Sequence, residues 1–521
     1  MKRRYLITGL FLSLFFTGCS DWLDKNHDPD AVEIVPNADV LLPAGQLGIA
    51  NNLMGWHFGF GGGFWVQYWT QNYTASQFKT LCEYLPQDFN TAYNSLMSEP
   101  LPDLRRIKIM TANDDDKGYY FVAEALSIFA WQIITDVWGD MPYFEALRGD
   151  EGIYHPKQDK GQDIYADLLK RINDLLTVDL SKSSINGNQD FIYNGDLLKW
   201  RKFANALKLK LMIRLSETSD YNNSNVLDFI QKADLLTESA KISGSVWNDD
   251  IAGKRHPMRA FQAGGANYIS TNVRACKSFF DYLKVNNDPR LSKLFTGAKA
   301  SFFGDFDSKE DSDNNGVADD KESYATVVAN PANSDNADPA NLKAPNDQFP
   351  ADADLIIMSD WEVNFYIAEV YARAGNKTKA KEHYETAVKA SLAQHGITDY
   401  AIVETGYAQW IDGAIEEEIK QIAMQKWVSY CNYQHIEAFL ERNRTKYPSV
   451  NEIDIAANRR YAWSNFPVGE LTISVKGRAI LNGNLPASPL YPDSYIFRNN
   501  NAPEQKPNVG QKVWWNQKAG K

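Results

Sequence analysis

Asp311-Ser-Asp-Asn-Asn-Gly-Val-Ala-Asp-Asp-Lys-Glu322 carries acids or amides at its first, third, fifth and ninth places, glycine at the sixth and glutamate at the twelfth. That is the ligand order of an EF-hand-type calcium loop. Asp311, Asp313 and Asn315 would supply side-chain oxygens and Val317 its carbonyl. Asp319 would coordinate directly or through water, and Glu322 would bind with both oxygens. Gly316 allows the sharp turn. Residues 305–322 hold eight carboxylates against Lys309 and Lys321, a density that repels itself unless a cation neutralises it. The competing reading is a solvated acidic turn. No convincing helix precedes the loop, so the expected role for calcium is a structural brace.

A second chemistry lies in the aromatics. Asn51–Tyr73 packs eight aromatic residues and five glycines into 23 positions. Aromatic faces can stack on sugar rings while nearby amides and acids bond the hydroxyls. Trp65, Tyr68, Trp69, Gln71 and Asn72 have the right types for this. A close-packed core helix and turn would read the same way. Trp247, Asn248 and Tyr268 are similar candidates in a loop-rich stretch. Gly59-Phe-Gly-Gly-Gly-Phe64 is no phosphate cradle, because no Gly-Lys-Ser/Thr follows and the last glycine of a dinucleotide turn is missing. His-Glu-x-x-His and Gly-x-Ser-x-Gly are both absent, and the seven histidines are scattered. No catalytic residue is assigned on these motifs. A carboxylate pair for glycoside hydrolysis depends on spacing in three dimensions, so a surface hydrolase remains the rival of another class.

The elements that must position these groups are mainly helical. In Lys117–Trp138, Tyr120, Ala123, Ser127, Ala130, Ile134 and Val137 recur at three- and four-residue steps. Gly139 and Pro142 predict where that helix stops. Gln162–Leu176, Asp196–Leu215 and Glu416–Arg442 repeat the periodicity. Trp361–Ala390 matches tetratricopeptide spacing through Ala368, Tyr371, Gly375, Ala380, Tyr384 and Ala387. Small residues there let two helices approach, and the Tyr rings fill the gap. Residues 220–360 and 443–521, rich in Asn, Asp, Gly and Pro, predict long loops or short strands. The expected fold is mainly α, a scaffold of tetratricopeptide-like helical pairs with long loop-rich insertions and a few short strands.

The N-terminus sets the compartment. Lys2, Arg3 and Arg4 precede an apolar run from Tyr5 to Phe16, then Thr17-Gly18-Cys19. These are the parts of a secretory signal, and the run is too short to span a bilayer. The register resembles a bacterial lipobox, with Cys19 as the lipidated residue. Residues 1–18 would be removed, 19–40 would form a lipidated linker, and 41–521 one binding domain with an insertion at about 220–360. A triacylated cysteine exceeds the two-chain threshold for stable anchoring. Losing the three basic residues takes the net charge from −12 to −15. That balance argues against nucleic acid, which needs a basic footprint. Cys82, Cys276 and Cys431 are an odd number in an exported chain and make no disulfide framework.

Taken in order, several landmarks resemble the SusD/RagB-type nutrient-binding outer-membrane lipoproteins. They are Cys19, Thr135-Asp-Val-Trp-Gly-Asp-Met-Pro-Tyr, Trp200-Arg-Lys-Phe-Ala-Asn-Ala-Leu-Lys-Leu, Asn287-Asp-Pro-Arg-Leu, and the helix pair at 361–390. Gln425-Lys-Trp-Val, Phe439-Leu-Glu-Arg-Asn-Arg and the terminal Val513-Trp-Trp complete the set. Arg459-Arg-Tyr-Ala-Trp-Ser-Asn-Phe-Pro departs from the family's Arg-aromatic-Pro run. The resemblance implies a lipid-anchored, surface-exposed outer-membrane protein that captures oligosaccharide for a SusC-like TonB-dependent transporter. Oligopeptide is the alternative ligand.

Overall fold

The computed structural model describes residues 37–71, 76–261, 272–295, 300–305, 350–457, 461–462 and 465–521. Cys19, Asn72, Tyr268 and the whole Asp311–Glu322 loop lie outside the described residues.

Among the described residues, twelve helices of more than two turns, with the shorter ones left unlabelled, form the frame. They are α1 (Ala38–Leu53), α2 (Asn90–Ser98), α3 (Pro100–Thr111), α4 (Gly118–Trp138), α5 (Gly161–Leu176) and α6 (Leu197–Arg214). After them come α7 (Asn223–Lys232), α8 (Lys277–Val285), α9 (Asp360–Arg373), α10 (Lys377–Gln394), α11 (Ile415–Tyr430) and α12 (His435–Thr445). Each packs on its neighbours in a running series: α1 on α3, α3 on α4, α4 on α5 and α6, α6 on α9, α9 on α10 and α11, and α11 on α12. One hydrophobic core runs through them, from Ala38 to Trp515.

Local chemistry fixes the helix ends. The Asp196 carboxylate accepts the Leu198 and Lys199 N–H groups, Ser359 Oγ accepts Glu362 N–H, and Asn376 Oδ1 accepts Lys379 N–H. Each satisfies backbone donors that a helix start leaves without partners. Gly139 ends α4 at φ +83°, a region glycine enters without a Cβ penalty. The sequence periodicity places α4 with one apolar face, whereas the structure buries it all round. The helix is long and apolar enough to cross a membrane by length and composition, yet its most apolar window is wholly buried inside the protein.

The tetratricopeptide spacing of 361–390 gives the hairpin α9–α10. Ala368, Ala380 and Ala387 are fully buried where the helices touch, Gly375 turns at φ +73°, and the Tyr384 hydroxyl donates to the Ala408 carbonyl at 2.8 Å. The continuous helix expected over Glu416–Arg442 is instead two helices. Cys431 is extended and Asn432 takes the left-handed conformation, which Asn tolerates better than most residues. Helix α1 starts at Ala38, inside the stretch expected to be linker, and the 220–360 insertion holds α7 and α8.

The strands are short. β1 (Trp69–Gln71) pairs antiparallel with β3 (Val273–Cys276), which runs parallel to β4 (Ala300–Ser301). β2 (Ala240–Ile242) pairs antiparallel with β5 (Leu355–Met358), with a register shift at Ala240/Lys241. β6 (Val450–Asn451) and β7 (Leu471–Thr472) run parallel.

Candidate functional site

Helix α1 ends in a π-helical turn, Trp56–Gly61, followed by Gly62–Trp65 and β1. Its glycines are there for packing. A Cβ on Gly62 would stand 2.7 Å from the His435 main chain, and one on Gly61 would stand 2.4 Å from the Phe89 ring. Only bare backbone fits against the start of α12. The packing alternative is therefore the one the structure adopts for most of this segment, and the ligand assignment of Trp65, Tyr68 and Trp69 is corrected. They are 2%, 0% and 0% exposed. Trp65 stacks on Phe89 at 5.0 Å and donates to the Leu81 carbonyl. Tyr68 donates to the Trp427 carbonyl. Trp69 meets the His435 ring edge-on at 4.7 Å. Gln71 is buried too and accepts the Phe78 N–H at 2.6 Å. No sugar can reach these rings.

Trp56, like His57, stays half-exposed in this turn. It stacks on Phe78 at 5.3 Å and meets Phe261 at 5.4 Å, and Phe261 stands perpendicular to Phe60 at 4.8 Å. Phe261 closes a turn that leads back to Trp247. The Met258 methyl lies where a Gly59 Cβ would touch it at 3.2 Å, so residues 256–261 lie across the π-helical turn. Trp247 is half-buried, edge-on to His256 at 5.4 Å, and its indole N–H is held by the Ala353 carbonyl at 3.1 Å. Exposed Asn248 donates its backbone N–H to the Lys254 carbonyl, and its side chain accepts from Asp250 N–H. Arg259 grips Asp249 through Nε and Nη2 at 3.0–3.2 Å, and Arg255 Nε donates to the Asp249 carbonyl at 2.7 Å. The Arg259 guanidinium holds the Asp249 carboxyl below its ordinary value.

The three rings are partly open, and the 247–261 stretch adds an amide, a carboxylate and two guanidiniums, so the segment holds groups that can stack on an apolar face and groups that can bond hydroxyls. The sequence reading named Trp247 and Asn248 but passed over Phe261 as a ligand ring. Trp56 lay within its glycine-rich segment, where nothing local separates it from the buried rings. π-helical turns occur often at functional sites, which is the one local signal for it.

Two buried histidines brace the site. His435 donates from Nδ1 to the Gly59 carbonyl at 2.6 Å and accepts Asn432 N–H on Nε2 at 2.8 Å. Burial pushes its pKa down to about 4, against the Gly59 hydrogen bond. His256 accepts Met258 N–H at 3.2 Å, and burial takes its pKa down to about 3. In the unfolded chain both titrate near 6.5, so below that pH unfolding takes up about one proton at each. Their contribution is fully present above about pH 6.5 and is lost as pH falls toward 4, at about 2.7 kcal/mol per pH unit. Urea unfolding at about pH 7 and about pH 5 checks this, and equal midpoints would reject neutral burial of the pair.

The carboxylates of the interior are placed unlike a hydrolytic pair. Arg214 contacts Asp136 at 2.9 Å, Glu441 at 2.7 Å and Glu437. Lys210 meets Glu362 and Glu437 at 2.8 Å, and Arg444 bridges Glu369 and Glu441 at 2.6 and 2.7 Å. Lys426 adds a contact to Glu441 at 2.5 Å. All are buried, joining α4, α6, α9, α11 and α12. Arg444 holds Glu369 at about 2 despite its burial. These acids are committed to cations in the interior.

A family model described as "SusD-like_2: Starch-binding associating with outer membrane" matches residues 33–464. Three solved structures are similar over nearly their whole length. A chitin-binding SusD homolog from Flavobacterium johnsoniae superposes with a TM-score of 0.68 at 17% identity, covering 92% of this chain and 99% of that one. A SusD homolog from Bacteroides thetaiotaomicron gives 0.66 at 19%, covering 93% and 100%. A chitin-binding protein gives 0.64 at 22%, covering 92% and 100%. No curated protein matches the chain.

Proposed function

This chain belongs to the SusD-like family, and on that premise we propose that it is a surface lipoprotein that captures an oligosaccharide and passes it to a SusC-like TonB-dependent transporter. Family members associate with the outer membrane. In this reading Cys19 carries the lipid, calcium braces the Asp311–Glu322 loop, and the work is done by affinity alone, with no bond made or broken.

The observation that carries the ligand class is the half-open set Trp56, Trp247 and Phe261 beside Asn248 and Asp249. Sugar rings have apolar C–H faces and hydroxyl edges, and this surface offers a partner to both. Two of the similar structures are described as chitin-binding, which supports glycan over peptide.

The test is a binding screen of the purified protein against chitooligosaccharides, glucans and mixed oligopeptides. Glycan binding is expected. Trp247→Ala and Trp56→Ala should each weaken it by about 1–3 kcal/mol, by analogy with other aromatic stacking sites. Peptide binding without glycan binding would overturn the ligand class. In cells, Cys19→Ala should release the protein from the outer-membrane fraction and end its co-purification with the transporter.

A further inference from the structure

The C-terminal segment folds back against the end of α12 and closes a cavity of about 320 Å³. The residues that line it include Arg442, Lys446, Lys512 and Lys521, with the amides of Asn482 and Asn508, and no carboxylate side chain. A cavity with four cationic side chains and no acid is unusual in a chain of net charge −12.

The cations are poorly compensated. Arg442, only 3% exposed, donates to main-chain oxygens: Lys521 at 2.5 Å and Pro448 at 3.4 Å. Lys446 is 8% exposed, and its amine donates to Asn516 Oδ1 at 2.6 Å, a neutral acceptor. Lys512 is exposed at the rim and has no ion pair among the described residues. Lys521 pairs with Glu452. Lys518 pairs with Glu416. Burial, then Arg442, Lys512 and Lys518, drives the Lys446 pKa down to about 6. Elsewhere in this interior each buried Arg or Lys of the α6, α11 and α12 network contacts at least one carboxylate. A buried charge left without a counter-charge is costly, so a site that keeps Arg442 and a Lys446 amine pushed toward its neutral form beside an open volume has a reason to receive an anion, which would draw the proton back onto Lys446.

We propose that this cavity binds a small oxyanion, either free or carried by an acidic sugar, with Arg442, Lys446 and Lys512 as its contacts. Guanidinium and ammonium donors around polar amides are suited to carboxylate, sulfate or phosphate. The volume admits a monosaccharide-sized group. The proposal stands apart from the aromatic site and does not depend on what binds there.

Titration calorimetry of the purified protein at constant ionic strength tests it, with sodium sulfate and sodium glucuronate as probes and glucose as the neutral control. Saturable binding of at least one anion, and none of glucose, is expected. Binding of sulfate alone identifies a free inorganic oxyanion, and preference for glucuronate identifies the acidic sugar. Lys512→Glu should weaken binding roughly tenfold, the loss of about one hydrogen bond to a charged group. Its anion-free unfolding midpoint should not fall, because the new carboxylate replaces a charge that repels Lys446. Lys446→Met should abolish binding and leave the anion-free protein at least as stable. Absence of saturable binding by either anion overturns the proposal, as does equal binding of glucose. So does unchanged anion affinity in both variants. Destabilised Lys446→Met that still binds the anion would make Lys446 a structural partner of Asn516 and also overturn it.

Discussion

Arg214→Met is expected to lower the unfolding free energy by about 3–5 kcal/mol, the usual loss when one partner of a buried ion pair is removed. Arg214 is 1% exposed and serves three carboxylates on two other helices: Asp136 on α4, and Glu437 and Glu441 on α12. Methionine fills much of the same volume, so the loss is charge and hydrogen bonding, with little cavity. Lys210 and Lys426 still reach Glu437 and Glu441. Asp136 keeps only the neutral donors Gln132 and Tyr165. Even with Arg214 in place, burial holds the Asp136 carboxyl above its ordinary value. The variant's folded state should therefore take up a proton on Asp136 that the wild type does not. A group whose folded pKa is raised adds stability below its unfolded pKa, so the deficit against wild type narrows as pH falls. Denaturant titrations of both proteins at about pH 7 and about pH 5 measure this. A loss under about 1 kcal/mol at the higher pH would show that Arg214 is dispensable to the network.

Trp69→Ala should cost about 3–5 kcal/mol of stability, the range for removing a large buried aromatic. The ring is fully buried between Phe60 at 5.5 Å, Phe64 at 6.3 Å and His435 at 4.7 Å. Alanine leaves a cavity where β1 meets the start of α12. The same substitution decides between the two readings of the glycine-rich segment. A stacking platform would show a loss of ligand affinity with little loss of stability. A core ring shows the reverse, with any affinity change following from the fraction folded. Urea unfolding together with glycan titration well below the midpoint separates them. A stable Trp69→Ala protein with weakened glycan binding would sink the core assignment.

The landmarks by which the chain resembles its family now have physical roles, and they are mostly interior polar contacts. Asp136 of the Thr135–Tyr143 motif enters the Arg214 network, and Trp138 of the same motif donates to the Asp88 carbonyl. Asp288 and Arg290 of Asn287–Leu291 form a fully buried pair at 2.7 Å, and Arg290 also reaches Gln425 at 2.8 Å. Lys426, Glu441 and Arg444 close the same network from the two C-terminal motifs. Such residues specify which helix sits beside which. That is why their order identifies a fold while leaving the ligand open.

By itself the sequence determined α4, α5 and α6, the α9–α10 hairpin and the series of motifs. Each depends on residues a few positions apart, where periodicity, caps and small-residue spacing act directly. Only the tertiary structure decided which aromatic rings are open. Trp56 and Trp69 sit in one segment of identical character. Trp69 is covered by Phe60 nine positions back and by His435 from more than 300 residues away, whereas Trp56 has one side left to solvent. The break of 416–442 into two helices was hidden for a related reason. It rests on Asn432 turning left-handed and donating its N–H to the same His435 whose other nitrogen holds Gly59. Burial is a property of what arrives from elsewhere in the chain, and no local pattern in one strand or turn records it.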